Sequence, residues 1–235
     1  MNSDNGRGTD AKKPRKQQKR SVVTQQKLLA AAVEAFSEGG FKGTSTRDIA
    51  DRAGVHHPLI TYHFKNKDML WRAAVTAIFR EFNIALVKSL AEFEHSAPRK
   101  RAEVFVRTYV KYAHQQPALH KIILQEASHP SERLDWLIDT HLRPLFTPVE
   151  ASLKELQQIG VAPPGNPALL FQMIRGCAGG LLALAPEIKT TTGIDFDEPE
   201  ALDELADMII NVFFSGNFRT VSATTAESGQ QSTTQ

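Results

Sequence analysis

The chain has 235 residues, 41% hydrophobic and 23% charged, an ordinary globular composition that suits one large or two small domains. A single cysteine, Cys177, excludes an internal disulfide and a four-thiolate metal site. No uncharged apolar run approaches the roughly 20 residues of a bilayer span, and the polar, basic N-terminus lacks the apolar block of a secretory signal. A cytoplasmic protein without a membrane partner is therefore expected. The net charge of +2 is unevenly spread. Residues 1–75 carry 14 Lys/Arg against 7 Asp/Glu, a net +7, and residues 76–235 carry 14 against 19, a net −5. A basic first third on an acidic remainder points to a polyanion partner for the first third alone.

In chain order, residues 1–20 show no apolar period and read as a disordered basic arm carrying Arg7, Lys12, Lys13, Arg15, Lys16, Lys19 and Arg20. Such an arm either aids solubility or reaches phosphates and the minor groove of DNA. Regular structure is expected from Val22 or Thr24. Leu29, Ala32, Val33 and Phe36 fall on one helical face, and Gly39-Gly40 ends the helix. Ser45 with Asp48 resembles a capping box for a short helix over about Thr46–Ala53, which Gly54 terminates. A third helix runs from about His57 to Phe64, with Pro58 in its first turn.

A long helix starts near Asn66 and ends before Pro98. Further helices are expected around Val104–Tyr112, Leu119–Ala127, Leu134–Leu142 and Val149–Ile159, with Pro144 and Pro148 kinking or interrupting the path. After a Pro/Gly loop at 161–167, Leu170–Leu184 forms another helix. Residues 190–199 read as a loop, Leu202–Phe213 as a last amphipathic helix, and 220–235 as a disordered tail. No sustained period-2 alternation occurs, so the fold class is all-α.

Thr46–Phe64 has the layout of a helix-turn-helix. Ile49 and Ala50 face inward, Gly54 turns, Val55 pins the turn, and a second helix buries Ile60. That layout puts the second helix in the major groove. The details resemble the N-terminal domain of the TetR family, the tetracycline-repressor-like regulators. The resemblance is carried by Phe36…Gly39-Gly40-Phe41, Thr44-Ser45-Thr46-Arg47-Asp48-Ile49-Ala50, Ala53-Gly54-Val55, Tyr62-His63-Phe64-Lys65-Asn66-Lys67 and Asp68-Met69-Leu70. It covers 24–75 and implies a DNA-binding domain over 21–75.

The resemblance implies DNA contacts by Ser45, Thr46, Arg47, His56, His57, Pro58, Leu59, Thr61, Tyr62, His63 and Lys67. Arg47 either reads a guanine, holds a phosphate, or pairs with Asp51. His57, Pro58 and Leu59 open the recognition helix, Tyr62 clamps a phosphate through its hydroxyl, and Lys67 joins helix-terminal amides on a phosphate. Many relatives have Gly at 58 and Tyr at 61, where this chain has Pro58 and Thr61, so base preference does not transfer. His56, His57 and His63 do not read as a metal set, because neighbours on a helix diverge by about 100° and no Cys or carboxylate completes them.

Residues 76–219 are expected to bind a small-molecule effector and to dimerise. They contain no nucleophile elbow, zinc-protease, P-loop or dinucleotide motif, so neither an enzyme nor a cofactor is expected. Candidate pocket residues are Phe105, Tyr109, Tyr112, His120, Trp136, His141, Phe171, Gln172, Met173 and Arg175, each with plain core packing as the competing reading. Close approach at Gly176, Ala178, Gly179 and Gly180, with the stripe of the last helix, suits a four-helix dimer interface. The expectation is a ligand-responsive repressor that binds a pseudo-palindromic operator as a homodimer. The alternative is an architectural DNA-binding protein without an effector.

Overall fold

A computed structural model describes residues 13–216 and 218, with side chains from residue 18. Every regular element among them is helical. They are α1 (Lys13–Gly43), α2 (Thr46–Ala53), α3 (Pro58–Phe64), α4 (Lys67–Ala91), α5 (Pro98–Gln115), α6 (Pro117–Ala127), α7 (Glu132–Leu137) and α8 (Arg143–Gln158). Then follow α9 (Pro167–Arg175), α10 (Leu181–Ala183), α11 (Ala185–Thr192) and α12 (Pro199–Phe213). Wider π turns, Ile138–Leu142 and Gly176–Gly180, join α7 to α8 and α9 to α10.

The expectation of an unstructured arm is corrected in part. Helix α1 begins at Lys13, so Lys13–Arg20 continue the first helix, with Lys19 and Arg20 exposed. Lys, Arg and Gln are good helix formers, and a polar stretch can extend a helix anchored further along. Arg7 and Lys12 of the expected arm, and the expected tail 220–235, lie outside the described residues. The loop expected at 190–199 is also shortened, because α11 runs on to Thr192 and closes at Gly193 in the left-handed conformation (φ 79°).

The chain forms two compact units. Among the described residues the first comprises 13–85 and 115–141, the second 86–114 and those from 142 onward. The division differs from the expected boundary at 75/76. Helix α6 packs on α1, and α7 packs on α6, so that stretch joins the N-terminal unit.

In the first unit, α1 buries Leu28, Ala31, Ala32, Ala35 and Phe36, a face about one residue round from the one read in the sequence. These side chains meet a core that includes Ile49, Ala50, Ile60, Phe64, Leu70, Trp71 and Leu137. Each fully buried Leu, Ile or Phe contributes roughly 1.5–3 kcal/mol. Aromatic rings and cations tie distant segments together. Phe41 stacks on Phe36 at 6.0 Å and meets the edge of Trp71 at 6.4 Å, and Trp71 meets Trp136 at 5.6 Å. The Arg133 guanidinium lies 3.9 Å from the Phe41 ring centre and pairs with buried Glu126 at 3.1 Å.

Gly40 interrupts α1 with φ 64° and ψ 178°, a region open essentially only to glycine. The break lets the buried Thr44 hydroxyl, through Oγ1, reach the carbonyls of Ala35 at 2.9 Å and Gly40 at 2.8 Å. A Cβ at Gly40 would meet nothing closer than the Gln125 side chain at 3.6 Å, so the barrier to substitution is backbone strain. Gly40→Ala is expected to destabilise the fold by about 1–3 kcal/mol, read as a lowered thermal midpoint.

In the second unit, α5 buries Val104, Val106, Tyr109, Val110, Tyr112 and Ala113. Helix α8 packs on α9, and α12 packs on the Gly176–Gly180 turn. Pro144 occupies the first turn of α8 and Pro148 lies within it, yet α8 is continuous to Gln158. Both prolines are exposed, so water can serve the carbonyl that Pro148 leaves without a donor.

Candidate nucleic-acid interface and ligand cavity

The helix-turn-helix assembles from local signals. Ser45 caps α2, its hydroxyl accepting from the Asp48 amide at 3.0 Å. Gly54 turns the chain in the left-handed conformation (φ 64°, ψ 37°) and donates to the carbonyls of Ala50 and Asp51. The Val55 amide donates to the Ala50 carbonyl at 3.0 Å. Pro58 opens α3, whose inward side chains Ile60 and Phe64 are buried. Arg52 fixes α2 to α1, reaching Asp48 at 3.1 Å and Glu38 at 2.8 Å.

With that face locked inward, the opposite face is left bare. Ser45, Arg47, His56, His57, Pro58, Thr61 and Tyr62 are exposed, and Thr46, Leu59, His63 and Lys67 are half-buried. Tyr62 is 76% exposed, so no core role accounts for its aromatic bulk. Arg52 pairs with Asp48 at 3.1 Å, and Arg47 is exposed.

Two contacts were not legible from spacing. His57 Nε2 and Thr46 Oγ1 share a hydrogen bond at 2.9 Å, joining the starts of α2 and α3. Lys67 Nζ lies 4.6 Å from the centre of the Phe41 ring. Burial, and secondarily the charge of Arg133, push the Lys67 ammonium below its ordinary pKa. Lys67 is thus half-held against the core, with Asn66 capping α4 beside it through Oδ1 to the Met69 amide at 2.8 Å. No group of three or more His, Cys, Asp or Glu among the described residues could hold a metal ion.

The ten pocket candidates separate. His120, Trp136 and His141 belong to the first compact unit, the other seven to the second. His141 stacks on Phe79 at 4.6 Å, meets the edge of Trp136 at 5.2 Å and bonds Thr76 Oγ1 at 3.2 Å. Burial lowers its pKa below the ordinary 6.5. A histidine kept neutral in the fold stabilises it above the unfolded value and loses that contribution as pH falls through the folded value. Unfolding titrations are expected to show stability declining below about pH 6.5, and His141→Gln is expected to flatten that limb.

In the second unit a cavity of about 520 Å³ is walled by the end of α4, α5, α8, α9 and Phe214. Of the seven candidates there, Phe105 and Phe171 line it. Tyr109 and Tyr112 are buried in the α5 core, and burial raises the Tyr109 pKa. Gln172 and Met173 are exposed on α9, and Arg175 is half-buried. Sequence reasoning missed Leu86, Leu145, Leu153 and Arg101, which also line the cavity. Leucines at helical spacing carry no mark that separates a cavity wall from a core.

A short helix held against a supporting helix by a left-handed glycine, its outer face bare and polar, defines a helix-turn-helix protein. Residues 28–74 match the family model described as bacterial regulatory proteins, tetR family. The HTH-type transcriptional regulator RutR of Escherichia coli strain K12 is 24% identical over 198 residues, covering 84% of this chain and 92% of that protein. A crystal structure of AibR in complex with isovaleryl coenzyme A and operator DNA superposes with a TM-score of 0.62 at 18% identity, covering 81% of this chain and 98% of that one. A HlyIIR mutant protein does so at 0.63 and 19%, covering 82% and 97%. Residues 28–74 thus carry a DNA-binding domain of the tetR-family kind, and over most of its length the chain is similar to transcriptional regulators with such a domain.

Proposed function

We propose that this regulator is a repressor that binds a pseudo-palindromic operator as a homodimer and is released by a small molecule. The observation that carries the DNA contact is the bare outer face of α3, with Tyr62 and His57 exposed while Ile60 and Phe64 are locked inside. In this reading Arg47, His57 and Leu59 reach base edges, and Ser45, Thr46, Tyr62 and Lys67 hold phosphates. His56, Pro58, Thr61 and His63 complete the groove-facing surface.

Dimerisation is supported by apolar surface left exposed among the described residues of the second unit. Leu169, Met173 and Leu184 are exposed near α9 and α10, as are Met208 and Val212 on α12. Gly176 and Gly180 fall between them in sequence, and a Cβ at either would meet nothing within 4 Å. Met173, read first as a pocket residue, therefore suits a subunit interface better. Matching half-sites require matching readers.

The effector reading rests on the cavity, which has the size and apolar lining of small-molecule sites. AibR is described with both a ligand and operator DNA, which supports the same pairing here. The ligand acts as a population shift by preferring a spacing of recognition helices that does not match the groove repeat. The proposed regulator is cytoplasmic and not an enzyme; no single helix among the described residues is long and apolar enough to cross a membrane. Footprinting on fragments flanking its own gene, against excess random duplex, tests the proposal. It should yield one protected two-fold site. Uniform coating of all fragments would instead favour the architectural alternative.

A further inference from the structure

The cavity's chemistry selects one kind of effector. Resting on the effector reading above, we infer that the second unit binds a linear alkyl monocarboxylate, its chain in the cavity and its head on Arg101.

All six lining residues that are buried are apolar: Leu86, Leu153, Leu156, Phe171, Ile174 and Phe214. The buried side chains therefore offer no hydrogen bond, and a polar group placed among them would lose its hydration with little compensation. The charged lining residues lie at the half-exposed edge, so the ligand must be an amphiphile with its head there.

The head's sign follows from α5. Its first turn carries Arg99, Lys100 and Arg101 and no acid, at the end of a helix where the backbone dipole favours an anion. Arg101 is the member of that trio that lines the cavity. Its bonds are long, 3.3 Å to Glu155 and 3.5 Å to the Ser96 carbonyl, against roughly 2.7–2.9 Å for a good charge-assisted pair. A ligand carboxylate placed beside that fork takes up the bidentate geometry that Glu155 leaves unmade. Glu94 and Glu155 are exposed, so water screens their repulsion of a second carboxylate.

Calorimetry on the full chain tests this with sodium decanoate, decanol and decyltrimethylammonium, each below its micelle concentration. Decanoate should bind at least tenfold more tightly than either other probe. Arg101→Gln should remove that preference, while Glu155→Gln, which breaks the same ion pair, should leave decanoate binding as tight or tighter. The inference is overturned if no probe binds, if the cation or the alcohol matches decanoate, or if the two variants weaken decanoate equally. Operator footprinting on the same protein keeps the outcomes apart. A protein that protects its operator yet shows no carboxylate preference loses this ligand assignment and keeps its DNA reading.

Discussion

Met173→Glu combined with Val212→Glu is expected to turn a dimer into a folded monomer and to weaken operator binding by about 10²–10⁴-fold. Both side chains are largely exposed in the single chain, so the substitutions cost the monomer little. In a subunit interface they would bury four unpaired carboxylates per dimer, and each buried, unpaired charge is expensive. Operator affinity falls further than the local chemistry suggests, because two linked readers engage a two-part site with an effective concentration that a lone reader lacks. Light scattering coupled to size exclusion reads the mass, and anisotropy titration of a labelled operator reads the affinity. A double variant that remains dimeric would move the interface away from α9 and α12.

Tyr62→Phe combined with Lys67→Ala is expected to weaken the operator complex by at least about a hundredfold. Tyr62→Phe deletes only an oxygen from a ring that is 76% exposed, so any loss reports a contact to something outside the chain. Hydrogen bonds to charged acceptors contribute about 1.5–3 kcal/mol, and a two-fold complex loses each contact twice. Lys67→Ala also lowers the slope of log K against log salt, by about 0.9 for each phosphate released. The cation–π contact of Lys67 with Phe41 makes a small loss of stability the side effect to control for, through the thermal midpoint of the free protein. An unchanged salt slope would place Lys67 away from the backbone of the duplex.

The head of this protein is legible because its determinants are local. The Ser45 cap, the inward Ile49 and Ala50, the left-handed Gly54 and the proline start of α3 each act within a few residues, and each stands where its residue type requires. Lys13–Arg20 is different. It has no apolar period, and its helicity follows from continuity with the anchored part of α1. The assembly of Phe41, Trp71, Trp136 and Arg133 joins segments far apart in the chain, and no spacing rule reaches that far. For the same reason His120, Trp136 and His141 looked like pocket residues by type alone, although the fold places them in the N-terminal unit. The cavity showed only partly, through Phe105 and Phe171, because most of its other walls are leucines, valines, alanines and prolines that read as core.

The central claim, that the outer face of α3 sits in the major groove, meets its most direct test in methylation interference. Dimethyl sulfate places its methyl group on guanine N7, an atom of the major groove. The account predicts that such methyl groups block binding in two patches whose centres lie ~10 base pairs apart or a multiple of that, and that a minor-groove ligand such as distamycin leaves the complex intact. Binding that tolerates N7 methylation throughout the site and yields to the minor-groove ligand would contradict it.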